Sequence, residues 1–274
     1  MNDLQQALLE RQALEGASRE EVRRQHALEG VLRRLAASPH AGALVLRGGV
    51  LLRLLCPGVP RPAQDLDLLS LERFDPDRAR AQVEALLALP CADGVRLSIA
   101  EWRPIWIDRP FPGLRFQLAV ELLGEPLGAQ LDLGFHDPVV PPPARLRVPG
   151  TTPALAAEVL ACRPETLFAW KVHGLYEREL NHWRPKDLHD AWLLARHGLD
   201  AALLPEALRV AFASRGDPLE LTDRLVRGEM GRSRGSLKKW RKLRRSRPPG
   251  SVPETPEEPV RVVGALVGAA RAAL

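Results

Sequence analysis

The sequence has 274 residues, of which 45% are hydrophobic and 27% charged, and a formal net charge of +5. This is an ordinary globular composition, and the length suffices for one sizeable core or two modest ones. No run of roughly 18 uncharged apolar residues is present to form a transmembrane helix, and Met1 to Arg23 mixes Glu, Gln and Arg with its apolar residues, unlike a secretory signal; a cytoplasmic protein is expected.

In chain order, residues 3–37 carry Leu and Ala at helical spacing among Glu and Arg, and predict two helices that break near Gly16-Ala17-Ser18. A short strand at 43–47 leads through Gly48-Gly49 into a helix at 50–55, stopped by Pro57-Gly58. Residues 65–69 alternate apolar and acidic side chains and predict a second strand, followed by a helix at 77–89 and a strand at 95–106. Residues 114–123 and 127–135 predict a hairpin around Gly124-Glu125-Pro126. From Pro138 to Pro153, six prolines among few structure formers predict a connector. The pattern then turns helical, at 154–160, 164–180, 185–197, 201–213 and 218–226. Between Gly231 and Arg247 stand nine basic residues and no acid; without them the rest of the chain carries a formal −4, so the positive balance is local. A proline and glutamate linker at 248–259 and an apolar helix at 260–274 close the chain. Cys56, Cys91 and Cys162 are odd in number and lack C-x-x-C spacing, which argues against a disulfide framework or a zinc site.

Three short stretches carry the chemistry. In Asp65-Leu66-Asp67, positions i and i+2 of a strand face one side, about 6.6 Å apart at ~3.3 Å per residue. Two carboxylates held that way repel unless a cation lies between them. Mg2+ takes a few carboxylate oxygens and keeps other positions for water and phosphate. Taken alone, the pattern also describes the solvent side of an edge strand. Gly48-Gly49 lies between a predicted strand and helix, where backbone N–H groups can approach a phosphate at a helix N-terminus; a plain strand-to-helix turn is the alternative. Gln130-Leu131-Asp132-Leu133-Gly134 places another carboxylate on an apolar strand. A two-metal site needs a third acid from a neighbouring strand, and Asp132 is its candidate.

The stretch Leu44-Val45-Leu46-Arg47-Gly48-Gly49-Val50-Leu51-Leu52-Arg53, followed by Arg61-Pro62-Ala63-Gln64-Asp65-Leu66-Asp67-Leu68, resembles the nucleotidyltransferase signature of the AbiEii/AbiGii toxin family. Leu131 to Asp137 resembles that family's third-carboxylate strand. Glu165 to Lys171 and Arg184 to Asp190 are similar to its lysine helix and its K/R-D-x-x-D helix. The segments around Trp240 and from Val260 to Leu274 are similar to the end of one branch. The resemblance runs from about residue 30 to the C-terminus and implies an α+β fold with a polymerase-β-like nucleotidyltransferase core. The expected division is N-terminal helices at 1–42, the core at 43–150, a helical segment at 151–214 that completes the active site, and a basic helical extension at 215–274.

The implied activity is transfer of a nucleoside monophosphate from an NTP to an acceptor, with release of pyrophosphate. Its bearer would be the toxin of a bacterial toxin–antitoxin or phage-defence pair, with a cognate antitoxin as partner; some members modify tRNA 3′ ends. By the same resemblance Gly48 and Gly49 would hold the triphosphate, and Asp65, Asp67 and Asp132 would ligate Mg2+ or Mn2+. Lys171 would contact the nucleotide phosphates, and Asp187 would complete the site as base or orienting group. Val50 stands where the family often has Thr, and Ala63 where it often has Ser, so two hydroxyls near the phosphates are missing. The chemistry suits such a set, because phosphoryl transfer is mostly positioning and charge neutralisation.

Read on its own, Lys171 is an exposed helical lysine, and Asp187 an N-cap or first-turn acid after Pro185. Asp190 reads as structural. Lys238, Lys239, Arg241, Lys242, Arg244 and Arg245, around Trp240, would grip the phosphates of an RNA or tRNA acceptor in a salt-dependent way; a solvated basic helix is the alternative. The seven histidines, His182 among them, have no zinc-site spacing and read as surface residues or supports of the site. The tryptophans read as packing anchors, with Trp240 left open as a base-stacking platform. The alternatives to an RNA acceptor are nucleotidylation of a small molecule or protein hydroxyl, and a non-catalytic partner-binding protein on the same fold.

Overall fold

The computed structural model describes residues 3–58, 63–177 and 184–274. They fall into two compact units. The first takes Met1–Leu54, Pro62–Asp137 and Pro143–Ala161, the second Leu55–Arg61, Pro138–Pro142 and Cys162–Leu274.

The first unit opens with α1 (Asp3–Glu15) and α2 (Arg19–Ala37). Ser18 accepts from the Glu21 N–H while the Glu21 side chain reaches back to the Ser18 N–H, a capping box that places the predicted break. Seven strands follow: β1 (Leu44–Arg47), β2 (Asp65–Ser70), β3 (Val95–Ile105), β4 (Gly113–Leu122), β5 (Glu125–Phe135), β6 (Ala144–Val148) and β7 (Ala157–Ala161). They form one sheet in the order β3-β4-β5-β2-β1-β7-β6. The β2–β5 and β1–β7 pairs are parallel and the others antiparallel. Two helices intervene, α3 (Gly48–Leu55) and α4 (Pro76–Leu87), the latter started by the Asp75 cap and Pro76.

Alternation along β4 and β5 sorts the two faces of the sheet. Leu114, Phe116, Leu118, Val120 and Leu122, with Ala129, Leu131, Leu133 and Phe135, are buried on the side that α2 covers. Arg115, Gln117, Ala119, Gln130 and Asp132 take the other side.

The proline-rich connector contains β6, an edge strand whose Arg145 and Arg147 face solvent. The helix expected at 154–160 is a single 3-10 turn at Pro153–Leu155 followed by β7. Its Leu and Ala content favours helix, but Val159 and Ala161 are buried in strand alternation beside β1, and pairing plus burial outweighs propensity. The hairpin turn also sits slightly earlier than expected, since β5 begins at Glu125.

The second unit is helical: α5 (Pro164–His173), α6 (Pro185–His197), α7 (Leu204–Ala213), α8 (Asp223–Val226), α9 (Arg234–Arg245) and α10 (Glu257–Ala272). α5 packs on α6 and α7, and α10 on α6 and α8. The helix expected at 164–180 ends at His173; its last residues and His182 lie outside the described residues, as do Arg61 and Pro62 of the family-like signature. Residues 218–226 divide into a 3-10 turn at Leu219–Thr222 and α8. His26, His173 and His189 are buried rather than at the surface, and each has a hydrogen-bond partner: the Asp93 carbonyl, the Asp217 carboxylate and the Ser251 carbonyl. Among the described residues no helix is long and apolar enough to cross a membrane.

Candidate active site

The core of the site is made by strand register. Parallel pairing of β2 with β5 sets Asp67 directly beside Asp132 and Asp65 beside Gln130. The strand period of two puts Asp65 and Asp67 on the same face as Asp132. One oxygen from each of the three carboxylates lies within 4.8 Å of the others. Asp132 is 5% exposed and the other two are half-buried, so their mutual repulsion is poorly screened by water. Three hard oxygen donors at that separation suit Mg2+ or Mn2+.

Gly48 and Gly49 belong to the same construction. Gly48 has φ +70°, and a Cβ there would sit 1.9 Å from Asp67 Oδ2, so no larger residue fits against the carboxylate. The Gly49 N–H donates to Asp67 Oδ2 at 3.3 Å. The turn thus holds one of the three acids, in addition to opening α3.

Two arginines flank the triad, and sequence reading assigned a role to neither. Arg115 on β4 faces Asp132 across the antiparallel pair and forks onto it, Nε to Oδ1 at 2.9 Å and Nη2 to Oδ2 at 2.7 Å. Gln130 Nε2 adds a bond to Asp132 Oδ1 at 3.1 Å. The hydrogen bond to Asp132 raises the Arg115 pKa further above its ordinary value, and the charges of Asp65 and Asp67 add to it. Arg47 on β1 pairs with Asp67 in register and reaches Asp137 with Nη1 at 2.6 Å. Its guanidinium passes so close over Gly134 that a Cβ there would lie 2.4 Å from Nη2. The signal for Arg115 was present only as a register, which depends on where the hairpin turns.

Val50 and Ala63, the two departures from the family-like pattern, are buried at 0% and 7% exposure. They stand as small apolar packing residues.

The second unit holds its own ionic cluster. Lys171 on α5 points Nζ at Asp187 Oδ1 (3.1 Å) and Asp190 Oδ2 (2.9 Å), both on α6. Arg184 adds a contact to Asp187 Oδ2 at 3.2 Å. The carboxylates are 5% and 0% exposed and Lys171 15%, so Lys171 is not an exposed helical lysine, and Asp187 is more than a first-turn acid. Asp190, read as structural, shares the same cation.

On α9, Lys238, Arg241, Lys242, Arg244 and Arg245 are exposed and Lys239 is half-buried. Arg234, Lys238, Arg241 and Arg245 fall at i, i+4, i+7 and i+11, which is one helical face. Trp240 is 1% exposed and donates Nε1–H to the Pro253 carbonyl at 2.9 Å, so it anchors the helix and is closed to base stacking.

The family model described as nucleotidyl transferase AbiEii toxin, type IV TA system, matches residues 30–261. Among solved structures, JHP933 from Helicobacter pylori aligns with a TM-score of 0.52 at 15% identity, covering 94% of each chain. An antigenic nucleotidyltransferase-like protein from Paracoccidioides brasiliensis aligns with a TM-score of 0.40 at 14% identity, covering 80% of this chain and 88% of its own. No curated protein matches the sequence.

Proposed function

Because the chain belongs to the AbiEii nucleotidyltransferase toxin family of type IV toxin–antitoxin systems, we propose that it transfers a nucleoside monophosphate from an NTP to a hydroxyl of an RNA acceptor, tRNA above all. The observation that carries this reading is the register of β2 and β5, which gathers Asp65, Asp67 and Asp132 within 4.8 Å beside the Gly48-Gly49 turn. These three acids would hold Mg2+, which supplies charge neutralisation at the phosphates when bound. The triphosphate would lie at the α3 N-terminus, where first-turn backbone N–H groups and the helix dipole favour negative charge. Arg115 and Gln130 keep Asp132 in one orientation, and Gly49 does the same for Asp67. Lys171 and Asp187, in the second unit, are the residues to which the family resemblance assigns contact with the nucleotide phosphates and with the attacking hydroxyl. The exposed basic face of α9 supports a polyanionic acceptor over a small molecule. An antitoxin is the implied counterpart of a toxin in such a system.

The test is incubation of the protein with each labelled NTP, Mg2+ and total RNA, alongside Asp67→Ala. Wild type is expected to label RNA with at least one NTP, and Asp67→Ala to abolish labelling while keeping its thermal unfolding midpoint within a few degrees. Near wild-type turnover by Asp67→Ala at saturating Mg2+ would sink the assignment of the metal site.

A further inference from the structure

The row of side chains that contains the acidic triad continues past it. Across the sheet, Arg47 pairs with Asp67, Asp67 with Asp132, Asp132 with Arg115, and Arg115 with Arg103 on β3. Residues directly opposite one another share a face, so all five belong to one line. The line ends in two arginines side by side. Like charges directly opposed in an antiparallel pair are destabilising, and only one of the two is neutralised here. Arg115 spends two of its five N–H groups on Asp132, which leaves three donors. Arg103 is exposed and makes no ion pair or hydrogen bond among the described residues.

Glu101, two residues before Arg103 and opposite Gln117, is exposed on the same face. Gln117, Ala119 and Gly128, on the strands beside and beyond the arginine pair, are exposed and short or uncharged. Past the end of β3 the connection to β4 carries Arg109, exposed, and Trp106, 47% exposed, whose ring lies so near Gly113, two residues before Arg115 on the same face, that a Cβ there would sit 3.5 Å from it. Cations beside an accessible indole are what a single nucleic acid strand requires, since phosphates take the charge and a base takes the ring.

We propose that Arg103 and the unused donors of Arg115 form a phosphate subsite for the acceptor strand, with Trp106 stacking on one of its bases. The ligand is a phosphodiester of the acceptor and not the triphosphate of the NTP. Arg103 lies three strands from Asp67, about 14 Å at ~4.8 Å per strand, and Gly48 is on the opposite side of the triad. Nucleotide and acceptor would therefore approach the carboxylates from opposite edges of the row. This inference rests on the reading of the triad as the transfer site.

Binding of a fluorescent oligoribonucleotide to the full chain tests it, measured against salt in wild type, Arg103→Gln, Arg103→Glu and Trp106→Ala, with binding of a fluorescent NTP analogue read in parallel. Arg103→Gln is expected to weaken oligonucleotide binding about fivefold at 0.1 M salt and lower the log–log salt slope by roughly 0.7, the share of one phosphate contact. Arg103→Glu should weaken it further. Trp106→Ala should cost roughly tenfold with the slope unchanged, as expected for stacking. NTP binding should hold throughout. Loss of NTP binding in Arg103→Gln would move the subsite to the triphosphate, and unchanged oligonucleotide affinity and slope would remove it; either result overturns the proposal. Whether wild type labels RNA at all is a separate readout, so failure of the transferase reading stays distinguishable from failure of the subsite.

Discussion

Asp67 and Gly48 touch in a way that leaves no room for a methyl group. Alanine at 48 would hold φ +70° at a cost of about 1–2 kcal/mol and would push its Cβ into the Asp67 carboxylate. Gly48→Ala is therefore expected to fold and to lose about a hundredfold in transfer rate, the scale of an ångström misplacement of a reacting group. Titration with Mn2+ should show weakened binding in the same variant, and unchanged Mn2+ affinity would refute the displacement of Asp67. Lys171 poses the complementary case. Its Nζ bridges two buried carboxylates, and removing one partner of such a group costs on the order of 3–5 kcal/mol. Lys171→Ala should lower the thermal midpoint as well as NTP use. Adding Asp190→Asn should recover part of the midpoint without recovering NTP use. A midpoint equal to wild type in Lys171→Ala would show that the cation serves only the nucleotide.

At the scale of elements, α9 turns Trp240 and Leu243 inward, while Arg234, Lys238, Arg241, Lys242 and Arg245 are exposed on the far side. Replacing Lys238, Lys239, Arg241 and Lys242 with Gln leaves the buried side chains in place, so folding should persist. Affinity for RNA should fall and its log–log salt slope should flatten by up to four contacts of roughly 0.7–0.9 each. An unchanged slope would mark α9 as a solvated face. The strands show where local reading stops being sufficient. Residues 65–69 and 127–135 announce themselves by alternation, and the capping box at Ser18 and Glu21 announces α2. β7 does not, because Ala-Glu-Val-Leu-Ala is a good helix sequence until β1 offers it a parallel partner. β6 is hidden among prolines for the opposite reason, since an edge strand tolerates them at its flanks.

At the scale of the whole chain, two units each carry a core, and the first is tied together by a buried ionic knot. Asp93 is fully buried and receives Arg33 Nε at 3.0 Å and Arg34 Nη1 at 2.9 Å, linking α2 to the turn before β3. Burial alone would push the Asp93 carboxyl up, but the Arg34 hydrogen bond and the charges of Arg33 and Arg34 outweigh it and hold the pKa below its ordinary value of 3.8. A carboxylate depressed in the folded state stabilises above its unfolded pKa, and that stability disappears as pH falls through the folded value. The thermal midpoint of wild type should therefore fall as the pH drops below about 4. Asp93→Asn should be less stable at neutral pH and flatter in that acidic window. Parallel curves for the two proteins would show that the knot does not contribute to the acid limb.

What the sequence determined by itself is the chemistry: two carboxylates at positions i and i+2 of a strand, a third on a later strand, a double glycine at a strand-to-helix turn and a concentrated basic segment. These features are local, because strand and helix periods alone decide which side chains share a face. Tertiary structure decided which of them meet and what opposes their charge. Asp132 reaches Asp67 through a parallel pairing that skips two intervening strands in the chain, and Arg115 reaches Asp132 through a hairpin register. A one-residue slip in either would turn the side chain to the other face. Asp190 joins Lys171 because α5 and α6 pack, and Trp240 turns inward because Pro253 offers its carbonyl. Such contacts depend on burial between segments distant in the chain, and no spacing along a single segment encodes them.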